Sequence, residues 1–313
     1  MKPEILLIGP LMPECMNALE RDYTAHRLWQ VPERDAFLQQ TGSKIRAIVT
    51  TGALGANASL INALPNLEII SVFGVGLDAI DLPVAKRRGI PVTITRDVLT
   101  EDVADMALAL LLAAARQIVT GDQYVRTGKW ARGQMELTRR VSGKAIGILG
   151  LGRVGRAFAK RAESMNMKIS YTHRRDLGVS YAFYPELSEL AADVDFLVIT
   201  VAGGDSTRRA VNRTVLERLG PEGILVNVAR GSVVDEEALV ETLKEGKLGG
   251  AGLDVFAHEP DVPEELKSMS NVVLQPHHAS GTFETRSDMT GLVLNNLKAH
   301  FSGRPLLTPL NNN

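Results

Sequence analysis

The stretch that most constrains this chain runs from Lys144 to Gly155 and reads KAIGILGLGRVG. Ala145, Ile146, Ile148 and Leu149 form the short apolar run expected of a strand buried in a parallel sheet. Gly150, Gly152 and Gly155 then give G-x-G-x-x-G. Arg156–Met165 continues in good helix formers, with apolar residues at Ala157, Phe158, Ala162 and Met165. In a chain with 28 glycines the bare pattern arises easily by chance; between a strand and a helix it carries a mechanism. The first glycine permits a tight turn, the second lets backbone approach a pyrophosphate, and the third lets helix pack on strand. The helix N-terminus adds unpaired N–H groups and a partial positive charge. The segment therefore predicts a dinucleotide site built on Gly150, Leu151, Gly152, Arg153, Val154 and Gly155.

Apolar runs alternate with amphipathic segments on both sides of this motif. Before it, strands are expected at Glu4–Ile8, Ile45–Val49, Glu68–Phe73 and Pro91–Ile94, with helices at Pro13–Arg21 and Ala58–Leu64. After it, strands at 168–171, 195–201, 223–228, 249–254 and 271–274 alternate with helices at 184–190, 212–219 and 235–245. Alternation of this kind implies parallel βαβ units. Residues 100–127 read as one long helix, apolar on every side in its central turns and suited to burial between layers. A long helix is also expected at Thr282–Phe301. The fold class is α/β with two Rossmann-like domains: a doubly wound dinucleotide-binding domain, residues 100–282, inserted into a discontinuous flavodoxin-like substrate domain, residues 1–99 and 283–313.

Composition excludes several function classes. The net charge of −1 supplies no field for nucleic acid or an anionic membrane. The longest apolar stretch, Met106–Ala115, falls far short of the ~20 residues of a membrane span. Cys15 is the single cysteine, so neither a disulfide framework nor a thiolate metal cluster is expected, and no metal site is expected at all. The N-terminal apolar run is too short for a signal peptide, which points to the cytoplasm.

The identity of the dinucleotide turns on the end of the strand after the motif. Binding of NAD uses a carboxylate there to accept the ribose 2′-hydroxyl. Here the chain reads Thr172-His173-Arg174-Arg175-Asp176. Two guanidinium forks with Thr172 and His173 beside them suit a 2′-phosphate, so NADP(H) is preferred, with NAD(H) possible. In the alternative reading Arg174 and Arg175 form a solvated turn and Asp176 does the usual job a few residues late.

Three further positions directly follow predicted strands, at the sheet edge where open α/β folds place ligands: Arg230 in NVARGSVVDEEAL, Glu259 in GLDVFAHEP and His277 in LQPHHASG. Taken singly, each has an ordinary structural explanation. Together with SVFGVGLDAIDL, VLTEDVAD, GILGLGRVG and the GRPLLTPL tail, they make the chain similar, nearly end to end, to the D-isomer-specific 2-hydroxyacid dehydrogenases. Within that family it most resembles the NADPH-preferring glyoxylate/hydroxypyruvate reductases. The resemblance implies that His277 exchanges a proton with the substrate oxygen, that Glu259 orients its ring, and that Arg230 holds the carboxylate of a small 2-oxo or 2-hydroxy acid. It implies that Val201, Val228, Ala229 and Asp254 line the cofactor, with Asp254 on the nicotinamide carboxamide. It also implies that the backbone of Val75 and Gly76 clamps the carboxylate and that Leu54 contributes to selectivity. His278 departs from the small apolar residue usual there. The 101–127 helix and Lys129–Leu137 resemble the family's dimerisation arm, which implies a homodimer and makes Trp130 and Met135 candidates to reach the partner's site. A reductase of aromatic 2-oxo acids such as hydroxyphenylpyruvate is the alternative activity. A dinucleotide-sensing, corepressor-like binding protein is the alternative outside enzymology.

Overall fold

The computed structural model describes residues 2–310, and its contacts divide them into two compact units. One is built from the chain up to Leu99 and from Gly281 onward; the other is Thr100–Ser280.

The first unit carries five parallel strands: β1 (Glu4–Leu7), β2 (Thr24–Arg27), β3 (Ile45–Thr51), β4 (Ile69–Phe73) and β5 (Val92–Thr93). Their order is β2-β1-β3-β4-β5, the flavodoxin-like order of a doubly wound sheet. Both faces are covered: Leu6, Ile48 and Ile70 face one core, and Ile5, Val49 and Phe73 face another that includes Met289, Val293 and Leu297 of the Phe283–Phe301 helix. β2 and the helix Arg34–Thr41 were not expected from the sequence. β2 reads TAHR and has no fully buried residue, while the helix buries none of its eight, so neither has a periodic apolar face to announce it.

The second unit carries seven parallel strands: β6 (Ala145–Leu149), β7 (Lys168–Thr172), β8 (Ala182–Phe183), β9 (Phe196–Ile199), β10 (Ile224–Asn227), β11 (Gly250–Leu253) and β12 (Val272–Leu274). The order β12-β11-β10-β9-β6-β7-β8 reverses between β6 and β9, and such a switch point opens a crevice at the carboxyl ends of the strands. The register is flush along that edge. Leu149 lies beside Thr172 and Ile199, Ile199 beside Asn227, Asn227 beside Leu253, and Leu253 beside Leu274. The residues that follow in the chain are consequently delivered along one edge. β9 and β10 are buried at every position, which is why they read as continuous rather than alternating apolar runs. β8, two residues long and partly exposed, was not legible.

The expectation of one helix over 100–127 is corrected. Thr100–Ala115 is a helix that buries Val103, Ala104, Ala107, Leu110, Leu111, Ala114 and Ala115, but a second helix, Ile118–Arg126, leaves it at 57°. The break has a specific cause. The Ala115 carbonyl, which a continuing helix would pair four residues on, accepts the N–H of Arg139 at 3.0 Å instead, and Gln117 takes a left-handed φ of 48°. Among the described residues no single helix is long and apolar enough to cross a membrane.

The glycine motif sits at the switch point with a distinct duty for each glycine. Gly150 has φ 96°, and a Cβ there would lie 2.7 Å from the Cα of Val201. A Cβ on Gly155 would meet the Gly150 carbonyl at 2.3 Å and Thr200 Oγ1 at 2.9 Å, whereas at Gly152 it would meet nothing within 4 Å. Gly155→Ala is expected to cost about 1–3 kcal/mol through overpacking and to lower the thermal midpoint by about 2–12 °C. Gly152→Ala should leave the midpoint unchanged, and calorimetric unfolding of the two variants checks both.

Candidate active site

The segments that follow β6, β7, β10, β11 and β12 carry the sequence-derived residues of the second unit along the carboxyl edge of its sheet. After β6, the turn at Gly150 donates its N–H to the carbonyl of Thr172 at 3.0 Å. The chain then enters the helix Arg153–Ser164, whose N-cap, Gly152, supplies no side-chain cap. Its first N–H groups are therefore open to an anion, and the space above Gly152 is clear. Leu151 and Thr172 are buried supports, while Arg153 and Val154 stand at the helix start, Arg153 exposed and Val154 half-buried. This cradle fits a dinucleotide pyrophosphate: a turn without side chains, uncapped donors and room for the phosphates.

The loop after β7 bears on the second phosphate that distinguishes NADP. Arg174 and Arg175 are exposed and His173 is half-buried. Partial burial and then the charges of Arg174, Arg175 and Arg156 push the His173 imidazole below its ordinary pKa, so three guanidinium charges bear on one side chain. Arg156, on the exposed side of the first helical turn, was not singled out from the sequence. Asp176 is committed elsewhere. It accepts the Tyr171 hydroxyl at 2.6 Å and the Gly178 N–H at 2.9 Å, a fold within its own loop.

After β10, Asn227 shapes the turn that carries Arg230. Its buried side chain accepts the Ala229 N–H at 3.0 Å and donates to the Arg230 carbonyl at 3.0 Å. Val228 and Ala229 are buried beneath the turn. Arg230 Nη1 donates to the Ala229 carbonyl at 2.6 Å. Gly231 lets this turn meet the next segment: a Cβ there would lie 1.9 Å from the Phe256 carbonyl carbon. Asn227 is a second residue that sequence reasoning passed over. Its signal was a polar side chain ending an otherwise apolar strand.

The segments after β11 and β12 deliver the acid–base pair. His277 Nδ1 lies 2.6 Å from Glu259 Oε2, and Phe256 donates its N–H to Glu259 Oε1 at 3.0 Å. Burial opposes ionisation of Glu259. The His277 ring, the Phe256 N–H and the charges of His277 and Arg230 outweigh it and hold the carboxyl below its usual range. An ionised Glu259 accepts, so Nδ1 donates and the tautomer is set. Nε2 makes no hydrogen bond to another described residue, and the ring is 45% exposed. His277 itself stands at φ 52°, a left-handed conformation that costs a non-glycine residue free energy. Asp254 holds it there. Its carbonyl accepts the His277 N–H at 2.8 Å, and its buried carboxylate accepts the N–H groups of His278 at 2.7 Å and Ala279 at 3.0 Å. His278 therefore contributes backbone, and as a residue it is exposed.

In the first unit, Leu54, Val75 and Gly76 lie on the loops after β3 and β4. A Cβ on Gly52 would meet the Gly76 carbonyl at 2.6 Å, so the two loops run against each other. Leu54 and Val75 are 51% and 39% exposed.

A parallel sheet that switches order at a glycine cradle, with a carboxylate-oriented imidazole on the same edge, defines an α/β dinucleotide-dependent dehydrogenase. The comparisons specify it further. A family model described as D-isomer specific 2-hydroxyacid dehydrogenase, NAD binding domain, matches residues 108–279. The chain is 50% identical over 307 residues to glyoxylate/hydroxypyruvate reductase A of Arabidopsis thaliana, covering 98% of each. It is 48% identical over 307 residues to hydroxyphenylpyruvate reductase of Plectranthus scutellarioides, again covering 98% of each. Among solved structures, the NADPH-dependent glyoxylate/hydroxypyruvate reductase of Sinorhizobium meliloti in complex with NADP and malonate superposes with a TM-score of 0.91 at 41% identity, covering 99% of this chain and 97% of that one. The chain belongs to the D-isomer specific 2-hydroxyacid dehydrogenase family.

The Glu259 carboxyl has a lowered pKa in the folded chain, so its contribution to stability is complete above the unfolded value of about 4.5 and is lost as pH falls through the folded value. Chemical denaturation of Glu259→Gln across a pH series should show a stability gap from wild type that is constant above pH ~5 and closes in acid. Parallel curves throughout would contradict the assignment.

Proposed function

We propose that this enzyme reduces small 2-oxo acids with NADPH, converting glyoxylate to glycolate and hydroxypyruvate to D-glycerate. The observation that carries the reading is the Glu259–His277 pair, 2.6 Å apart, on the same sheet edge as the Gly150–Gly155 cradle. Bound NADPH supplies the hydride. His277, donating from Nε2 while Nδ1 stays on Glu259, gives the proton to the carbonyl oxygen and takes it back in the reverse direction. Glu259 fixes the ring by accepting from Nδ1. Arg230 holds the substrate carboxylate and polarises the carbonyl, a task suited to a planar fork of donors. Val75 and Gly76 offer backbone N–H groups to a substrate carboxylate, and Leu54 contributes to side-chain selectivity.

Gly150, Leu151, Gly152, Arg153, Val154 and Gly155 cradle the pyrophosphate in this reading. Val201, Val228 and Ala229 line the cofactor, and Asp254 orients the nicotinamide carboxamide as well as the His277 turn. Thr172, His173, Arg174 and Arg175 receive the 2′-phosphate. Engagement of Asp176 by Tyr171 and Gly178 favours this over a ribose hydroxyl acceptor at Asp176, as does the NADP bound by the Sinorhizobium meliloti relative. Residues 100–282 then form the dinucleotide-binding domain, ending two residues past the contact division at Ser280, and residues 1–99 with 283–313 the substrate domain. A homodimer in the cytoplasm completes the proposal. Ile118, Val119, Val125, Trp130 and Leu137, all exposed apolar side chains on one arm, favour the dimer. Reduction of aromatic 2-oxo acids is the second reading, favoured by the hydroxyphenylpyruvate reductase of Plectranthus scutellarioides.

Loss of reduced-cofactor absorbance, with NADPH and NADH offered separately against glyoxylate, hydroxypyruvate, pyruvate and hydroxyphenylpyruvate, decides between these readings. NADPH oxidation is expected with glyoxylate and hydroxypyruvate; turnover confined to the aromatic acid would replace the substrate assignment. In the Arg174→Ala/Arg175→Ala double variant, KM for NADPH should rise about 10- to 100-fold, the loss of one or two charge-assisted hydrogen bonds, while KM for NADH changes little. Equal effects on both cofactors would remove the 2′-phosphate assignment.

A further inference from the structure

Arg286 stands out from the other shielded arginines. Arg161 pairs with Asp105 and Glu101. Arg46 pairs with Glu68. Arg88 donates to the carbonyls of Ile61, Leu64 and Pro65. The guanidinium of Arg286, a half-buried residue in the first turns of the Phe283–Phe301 helix, makes neither a hydrogen bond nor an ion pair with any other described residue. Its contact is with the ring of Phe73, whose centroid lies 5.7 Å from the guanidinium carbon. A cation–π contact of this kind is electrostatic and uses none of the guanidinium's five N–H donors as hydrogen bonds to another residue. Burial holds the group below its ordinary pKa, with no neighbouring carboxylate to offset that cost.

The position is specific as well as the chemistry. Phe73 is the last residue of β4, and the chain runs from it directly into Gly74, Val75 and Gly76. Gly74 has φ 142°, and its carbonyl accepts the Thr95 N–H at 2.9 Å, so the turn is fixed from the β5 side while Arg286 covers the last side chain before it. A cation partly stripped of water, held over a ring at the carboxyl edge of the first unit's sheet, is prepared for an oxyanion that the described residues do not provide.

We propose that Arg286 is a specificity-determining residue: its guanidinium edge recognises a second oxygen-bearing group on the 2-oxo acid, best a second carboxylate and next a hydroxyl. This deepens the reductase reading and rests on it. Glyoxylate, which has no group beyond its carboxylate and aldehyde, is then indifferent to Arg286. Hydroxypyruvate and 2-oxo dicarboxylic acids such as oxaloacetate are not.

The test compares Arg286→Met and Arg286→Lys with wild type, each shown by its thermal midpoint to be folded. In Arg286→Met, kcat/KM should fall about 10- to 100-fold for hydroxypyruvate and oxaloacetate, with glyoxylate nearly unchanged and Arg286→Lys recovering part of the loss. An equal fall for all three substrates would overturn the proposal and leave Arg286 as a brace for the Phe73 turn. No change for any would overturn it as well. Calorimetric titration of the NADP-loaded protein with malate and with glycolate gives an answer independent of turnover. Malate, with its second carboxylate, should bind about tenfold more weakly to Arg286→Met while glycolate is unaffected; equal weakening, or none, overturns the proposal. If wild type turns over none of the acids, the reductase reading fails, and the malate titration still decides the role of Arg286.

Discussion

Asp254 is the group on which the geometry of the candidate site in the second unit depends. Its two carboxylate oxygens take the N–H groups of His278 and Ala279, and its carbonyl takes that of His277. Three hydrogen bonds from one residue at the end of β11 stabilise a backbone turn that would otherwise be unfavourable, since His277 is left-handed. The consequence is geometric: the imidazole is brought 2.6 Å from Glu259 with Nε2 open. Asp254 is almost completely buried, and burial pushes its carboxyl up in pKa against the pull of the two N–H groups. A buried acceptor with its partners in place is costly to remove, because those N–H groups would be left unsatisfied.

The same economy of backbone recurs along the sheet edge. Gly150 and Gly231 sit where a Cβ would lie under 3 Å from the backbone of another segment, and Gly155 where it would lie 2.3 Å from the Gly150 carbonyl, so each allows main-chain groups to meet closely at this edge. A parallel sheet with flush register makes this possible, because every strand ends at one level and every following loop starts there. The first unit does the same with Gly52 against Gly76 and Gly55 against Ala79. In both units the candidate site residues stand on loops while the central strands beneath them are almost wholly buried, which separates stability from function.

What the sequence made legible has a physical pattern. The strand–glycine–helix unit at 145–164 was readable because apolar run, glycine spacing and helix formers agree within twenty residues. Helices placed to begin near Asn212, Asp235 and Thr282 do so because those side chains accept the N–H three residues on. Positions of Arg230, Glu259 and His277 could be marked from motif context, but their approach to one another could not, since it depends on Gly231 and Asp254 joining segments distant in sequence. β2 and β8 were missed because they are short and half-exposed. The break at Gln117 was missed because its cause lies at Arg139, twenty-two residues further on. Arg286 carries no signal in the sequence; its distinction is that, among the described residues, its guanidinium meets a ring and no hydrogen-bonding or charged partner, which exists only in three dimensions.

The central claim is that the Glu259–His277 pair is the proton donor for a carbonyl reduced by hydride, and single-turnover kinetics of His277→Ala tests it most directly. Protein loaded with NADPH is mixed with glyoxylate, and the decay of cofactor fluorescence reports the chemical step. The rate should fall about 10²- to 10⁴-fold, the usual contribution of a positioned acid, while the Kd for NADPH stays at the wild-type value. An unchanged rate would contradict the assignment of His277, and a loss of NADPH binding equal to the loss of rate would show that the residue serves the cofactor rather than the proton.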